Sequence, residues 1–265
     1  MDEKQMVDAA IQIVKDRSKD IYDDGLKPAT KEGGEALQTL VGLVNHVVFY
    51  PIKKANITYK YKLEQFQQDL LNRMNKIPDE KFVEPPLTIA GPTIEALKYT
   101  FDTKELREMY IGLLSSTMNI ETTMLTHPAY VEIIKQMSPI DATIFRKAVA
   151  VGASIACARV EIRNGSKFYR YAMPEMFVPD LLNEEDPFLF SSSIKNLCRL
   201  GLLTHRNNTL ITDYDYDSFR DHPFVKKQLE IYTDIINQAD LSIKIDPEVI
   251  VINDFGRAFA RVCLE

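Results

Sequence analysis

The chain has 265 residues and a mass of 30.3 kDa, which allows one large or two ordinary domains and excludes a mini-protein too small to bury a core. Hydrophobic residues at 45% and charged residues at 26% exclude a chain disordered throughout. With 32 basic and 38 acidic side chains the formal charge is -6, so no overall positive field draws the protein onto nucleic acid or anionic lipid. Cys157, Cys198 and Cys263 are odd in number and far apart. They fit neither a disulfide framework nor a zinc knuckle, and a reducing cytosol is the expected compartment. The N-terminal residues lead into an amphipathic segment and do not form a secretory signal.

In chain order, a first helix is predicted over Lys4 to Ile21, with Met6, Ala10, Ile13 and Val14 on one face. Residues 36 to 52 run without a charge, and Leu37, Leu40, Val41, Val44 and Val48 form a helical stripe closed by Pro51. This window is shorter than a bilayer span and is interrupted by Asn45 and His46. It reads as a helix buried against others, or as a stripe that meets a partner or, on triggering, a membrane surface. A long helix follows from Lys54 to Ile77, with Leu63, Phe66, Leu70, Met74 and Ile77 as its seam.

Pro78, Pro85, Pro86 and Pro92 predict an extended connection and a helix starting near Pro92. Asp102 and Glu105 have capping-box spacing at the start of a helix to Met118. His127-Pro128 opens a shorter helix through Met137. Ser138 then caps another, with Pro139 in its first position and Asp141 in its first turn.

Several ordered blocks resemble the Abi-alpha ("abortive infection alpha") family. They are Val83-Glu84-Pro85-Pro86-Leu87-Thr88-Ile89-Ala90-Gly91-Pro92, Glu105-Leu106-Arg107-Glu108-Met109, Leu113-Leu114-Ser115-Ser116-Thr117-Met118, and His127-Pro128 with the run from Val131 to Pro139. Pro28-Ala29-Thr30-Lys31-Glu32 and the closing Asn253-Asp254-Phe255-Gly256-Arg257 are similar to it too, so the resemblance covers about residues 25 to 265. It implies a bacterial antiviral protein of abortive infection, in which an infected cell stops supporting phage growth or dies. It brings no catalytic motif with it.

After the helix from Pro139 to about Ser154, the segment Arg159 to Arg163 alternates, turns at Asn164-Gly165 and returns through Lys167 to Tyr171, a hairpin signal. A helix over Phe188 to Leu200 with Ile194, Leu197 and Cys198 inward leads into Gly201-Leu202-Leu203. Residues 212 to 246 contain a further helix with Phe224, Leu229, Tyr232, Ile235 and Ile236 as its apolar set. A strand over Val249 to Ile252 and a helix capped by Asn253-Asp254 close the chain. This order resembles a winged helix. The fold class is therefore mainly α: an N-terminal helical bundle over 1–137 and a C-terminal winged-helix-like α+β module over 138–265, with an insertion at about 212–246.

On the helix at Phe188, Ser192, Lys195, Asn196 and Arg199 share the outer face that would read DNA. The half that carries them has more acid than base, against the footprint such a reader needs. Arg159, Arg163, Lys167 and Arg170 with Phe168 and Tyr169 make the best local basic-aromatic cluster, read as packed aromatics and solvated cations. Arg199 and His205 match the spacing of an RNase motif, but Gly201 separates them from a common helical face. His46, His127, His205 and His222 have no metal-ligand spacing, and no phosphate loop, zinc helix or nucleophile elbow occurs. The reading is thus a non-enzymatic abortive-infection effector or sensor, with no catalytic residue, metal or cofactor assigned. It acts through a protein partner, self-association or a membrane, and lies in the cytoplasm or peripherally at the inner membrane. The alternative is a winged-helix nucleic-acid-binding regulator.

Overall fold

The computed structural model describes Gly42 and residues 57–265 apart from Phe101, Ser166, 170–171, 183–185 and 237–240. The helix read over Lys4 to Ile21 and the stripe Leu37, Leu40, Val41, Val44 and Val48 lie outside the described residues. The described chain is mostly helical with one small antiparallel sheet. It divides into two compact units, one ending at Gln136 and including Arg261–Glu265, the other Met137–Ala260. The last five residues therefore group with the first half, although the sequence division assigns them to the second.

Helices α1 (Ile57–Met74), α2 (Leu87–Thr100), α3 (Lys104–Thr117) and α4 (Ala129–Lys135) make the first unit. The seam of α1 is covered at Phe66, Leu70 and Met74, while Ile77 lies past the helix end and is half-buried. Helix α2 starts five residues before Pro92, at Leu87, on first-turn bonds from Ile89 and Ala90 to the Pro86 carbonyl. A proline inside a helix crowds the residue before it, and Gly91, with no Cβ, removes that clash. The capping box read at Asp102 and Glu105 is replaced by an N-cap at Thr103, which makes no side-chain cap bond. Its carbonyl accepts from Arg107 N–H at 2.9 Å. Helix α3 is buried along nearly its whole length, and its Gly112 and Ser116 receive the C-terminal backbone: Ser116 Oγ donates to the Val262 carbonyl at 2.8 Å.

The second unit opens with α5 (Pro139–Val151), where the Ser138 hydroxyl accepts from Asp141 N–H and the Asp141 carboxylate accepts from Ser138 N–H at 2.7 Å, closing a capping box. Gly152, at φ 134, ends this helix and turns the chain into β1 (Ser154–Asn164). β2 (Lys167–Tyr169) returns along it with Asn164 opposite Lys167, so the turn begins at Gly165, one residue later than read, where a positive φ is needed. Helix α6 (Pro187–Arg199) precedes β3 (Leu203–Arg206). Helix α7 (Pro223–Ile236) precedes β4 (Ser242–Ile252), and α8 (Asp254–Cys263) closes the chain. The sheet order is β2-β1-β4-β3.

β4 starts at Ser242, seven residues before the strand read from the sequence, and runs through Pro247. Proline lacks the N–H a ladder needs, yet here nothing asks for it. Its partner Ala158 exchanges both backbone hydrogen bonds with Phe177 on its other side, at 2.9 and 3.0 Å. One sheet face carries Ala156, Ala158, Val160 and Ile162 into a core with Phe177, Tyr216, Phe219 and Val225. Ile235, read as part of the apolar set of α7, is exposed.

Candidate functional site

Alternation along the two central strands places Ile155, Cys157, Arg159 and Glu161 on the other face of the sheet, opposite Ile250, Glu248, Asp246 and Lys244. At the Ile155 end this face is apolar and covered; Ile250 and Ile252 are buried there, and Leu203 of β3 joins them. At the other end it is charged. The junction falls at the cross-strand pair Cys157 and Glu248, both inside the protein, with Glu248 only 3% exposed.

Both Glu248 oxygens are engaged. Oε2 lies 2.7 Å from His205 Nε2, and Oε1 lies 3.5 Å from the Arg159 guanidinium. Its backbone carbonyl accepts from the Tyr216 hydroxyl at 3.1 Å, and that hydroxyl in turn accepts from Ile211 N–H, which ties the strand to the core on the opposite face. Cys157 Sγ, a His205 ring nitrogen and a Glu248 oxygen all lie within 4.8 Å of one another. Burial, reinforced by the Glu248 carboxylate and Cys198, pushes the Cys157 thiol far above its ordinary range. As a bare thiol it is a poor nucleophile. Burial also raises the Cys198 thiol, opposed in part by a hydrogen bond with the His205 backbone.

His205 and Arg159 open onto a cleft of about 480 Å³, lined also by Glu161, Glu175, Lys195 and Asn207. Its charges are mutually matched: Lys195 pairs with Glu175, and Arg163 Nε donates to Glu161 at 2.8 Å. The cleft can thus take a small polar or charged group with donors and acceptors on both sides.

Of the residues read as a DNA-facing set, Ser192, Lys195 and Arg199 are exposed on α6. Asn196 is half-buried and committed, donating to the Asp141 carboxylate at 3.0 Å and accepting from Arg199 Nε at 3.0 Å. Arg159 and Arg163 of the basic-aromatic cluster bond to carboxylates, and Arg170 lies outside the described residues. His127 and His222 each stand before a proline and use Nδ1 to accept the N–H two residues on, at 3.0 and 3.2 Å, as helix-start residues do. Glu248 carried no signal in the sequence. It stands in an alternating polar series with Lys244 and Asp246, which reads as a solvated strand face. Among the described residues no helix is long and apolar enough to cross a membrane.

What these observations define is a mainly helical protein of two units, the second built around a small antiparallel sheet with a charged cleft whose His205 and Arg159 contact a buried carboxylate. The chain belongs to the Abortive infection alpha family, whose model matches residues 58–263. The match begins after Pro28-Ala29-Thr30-Lys31-Glu32, which the sequence resemblance included. Comparison with curated proteins and with solved structures returned no match.

Proposed function

We propose that this protein is a sensor or effector of abortive infection that acts by binding, and that the cleft of its second unit is where it receives its ligand. One observation carries the reading: Glu248 is buried behind a cleft and bonded to two of its lining residues, His205 and Arg159, at the point where its strand face changes from charged (Asp246) to apolar (Ile250). A buried carboxylate with its partners is no more stabilising than apolar residues of the same volume, so stability alone does not account for it. The paired charges around it suit recognition of a polar group. The uncharged stripe at Leu37, Leu40, Val41, Val44 and Val48 is the surface proposed to meet a protein partner, a second copy or the inner membrane once the cleft is occupied.

A second reading, the winged-helix nucleic-acid regulator, is favoured by the order β1-β4-β3 in the sheet with α6 directly before β3, the arrangement of a winged helix. It is opposed by the local charge: Lys195 is matched by Glu175, and Asn196 is held by Asp141.

The deciding experiment is a phage challenge of cells carrying the wild type, Glu248→Gln, Val44→Asp or Lys195→Ala with Arg199→Ala. It scores plaque number, host survival and membrane potential together. Loss of protection in Glu248→Gln and Val44→Asp at normal protein level supports the proposal. Protection that survives both changes refutes it, and protection lost only in the Lys195 and Arg199 variant, with salt-sensitive DNA binding, transfers the case to the second reading.

A further inference from the structure

We infer that Cys157, His205 and Glu248 form a site for a borderline-soft divalent metal ion, with Zn²⁺ the best fit, beside the cleft that His205 lines. The inference rests on the binding role proposed for that cleft and names its ligand.

The three side chains are the ones zinc takes most readily: a thiolate, an imidazole and a carboxylate. Their donor atoms lie within 4.8 Å of one another. Bond lengths of about 2.0 to 2.3 Å around a tetrahedral ion set donor separations of about 3.3 to 3.6 Å, so modest adjustment of side chains closes the site. The scaffold is already rigid. Cys157 and Glu248 are register partners on the two central strands, and His205 is on the strand paired to the other side of β4. Three protein ligands leave a fourth position on the ion, and one of the three, His205, also lines the cleft.

Charge and proton bookkeeping close as well. A Cys157 thiolate and the Glu248 carboxylate neutralise a divalent ion, with His205 neutral. Binding releases one proton, from the thiol, and forms the S–metal bond. With Nε2 bonded to the ion, the neutral ring carries its proton on Nδ1. The Oε2 contact to His205 is exchanged for a bond to the metal, while Oε1 keeps Arg159, 3.5 Å away, as its outer partner. The ion removes the one awkward feature of the empty arrangement, a thiol and a carboxylate buried side by side. Occupancy would also tie β1, β3 and β4 together at the cleft, coupling a ligand there to the sheet.

The test uses the full purified chain, titrated with Zn²⁺ against a chromophoric chelator and with Co²⁺ by absorption. The expected result is one equivalent bound, a thiolate-to-cobalt charge-transfer band, and a rise in melting temperature of the wild type on adding Zn²⁺. Cys157→Ser is expected to abolish the charge-transfer band, and His205→Gln and Glu248→Gln to weaken binding by more than about tenfold. Should a variant fail to fold, the band and the thermal shift of the wild type still decide. No charge-transfer band, or affinity unchanged in all three variants, overturns the site. The titration measures only the metal, whereas the phage challenge measures only the biological role, so either can fail without the other.

Discussion

Gly256→Ala tests how tightly the closing helix is packed. A Cβ on Gly256 would sit 2.0 Å from the Leu202 carbonyl oxygen and 2.9 Å from its carbon, both backbone atoms with no rotamer to yield. Ordinary contact begins near 3.4 Å, so α8 or the turn before β3 must retreat by more than an ångström. That approach is held by Asn253, whose Nδ2 donates to the Gly201 carbonyl at 2.8 Å and whose Oδ1 accepts from Gly256 N–H at 2.8 Å. Overpacking of this kind costs about 1–3 kcal/mol, and straining the two hydrogen bonds adds about 1 kcal/mol each. Replacing a helical glycine by alanine returns at most about 1 kcal/mol. The net expectation is a loss of about 2–4 kcal/mol, or roughly 5–15 °C in melting temperature. Urea denaturation followed by circular dichroism, with a constant slope between wild type and variant, reads it directly. A variant with an unchanged or higher midpoint refutes the close packing of Gly256 on Leu202.

Two further outcomes follow from buried polar groups. The Tyr110 hydroxyl on α3 is buried with no hydrogen-bond partner among the described residues, so Tyr110→Phe is expected to leave stability unchanged or raise it by about 1–3 kcal/mol; a lower urea midpoint would mean the hydroxyl is satisfied. His222 packs edge-on against Phe177 with ring centroids 5.0 Å apart, and burial lowers its pKa below the usual 6.5. A base with a lowered folded pKa takes up its proton first in the unfolded chain. Its share of stability is therefore complete above pH 6.5 and is lost as pH falls from there to the folded value. His222→Asn keeps a side-chain acceptor for Phe224 N–H and cannot titrate, so its stability should fall less between about pH 7 and about pH 5. Parallel loss in both proteins would dismiss His222 as the titrating group.

Local chemistry read from the sequence is well matched where neighbouring residues settle it. The Ser138, Pro139 and Asp141 cap, the seam at Phe66, Leu70 and Met74, and the hairpin after Asn164 follow from spacings of two to four residues. Differences arise where a neighbouring residue or a distant backbone supplies what the local rule lacks. The strand read from Val249 runs back through Pro247, because Phe177 satisfies the partner strand at that position. Pro92 reads as a helix start, but Gly91 lets the helix run through it. Asp102 reads as a cap, yet the N-cap falls one residue beyond it at Thr103 and the helix begins at Lys104.

The same division governs the cleft. Period-two alternation by itself determined which residues between Arg159 and Arg163 share a face, and the ordered motifs determined the family. Whether a given charged residue on that face meets water or protein is not a property of the strand. It depends on register and on what the rest of the chain lays over it. Only the tertiary structure decided that Glu248 is buried while Asp246 beside it is half-buried, and that Cys157 and His205, from separate parts of the sequence, close around it. Pattern fixes direction along the backbone within a few residues, whereas burial and proximity are set by contacts between strands far apart in the chain.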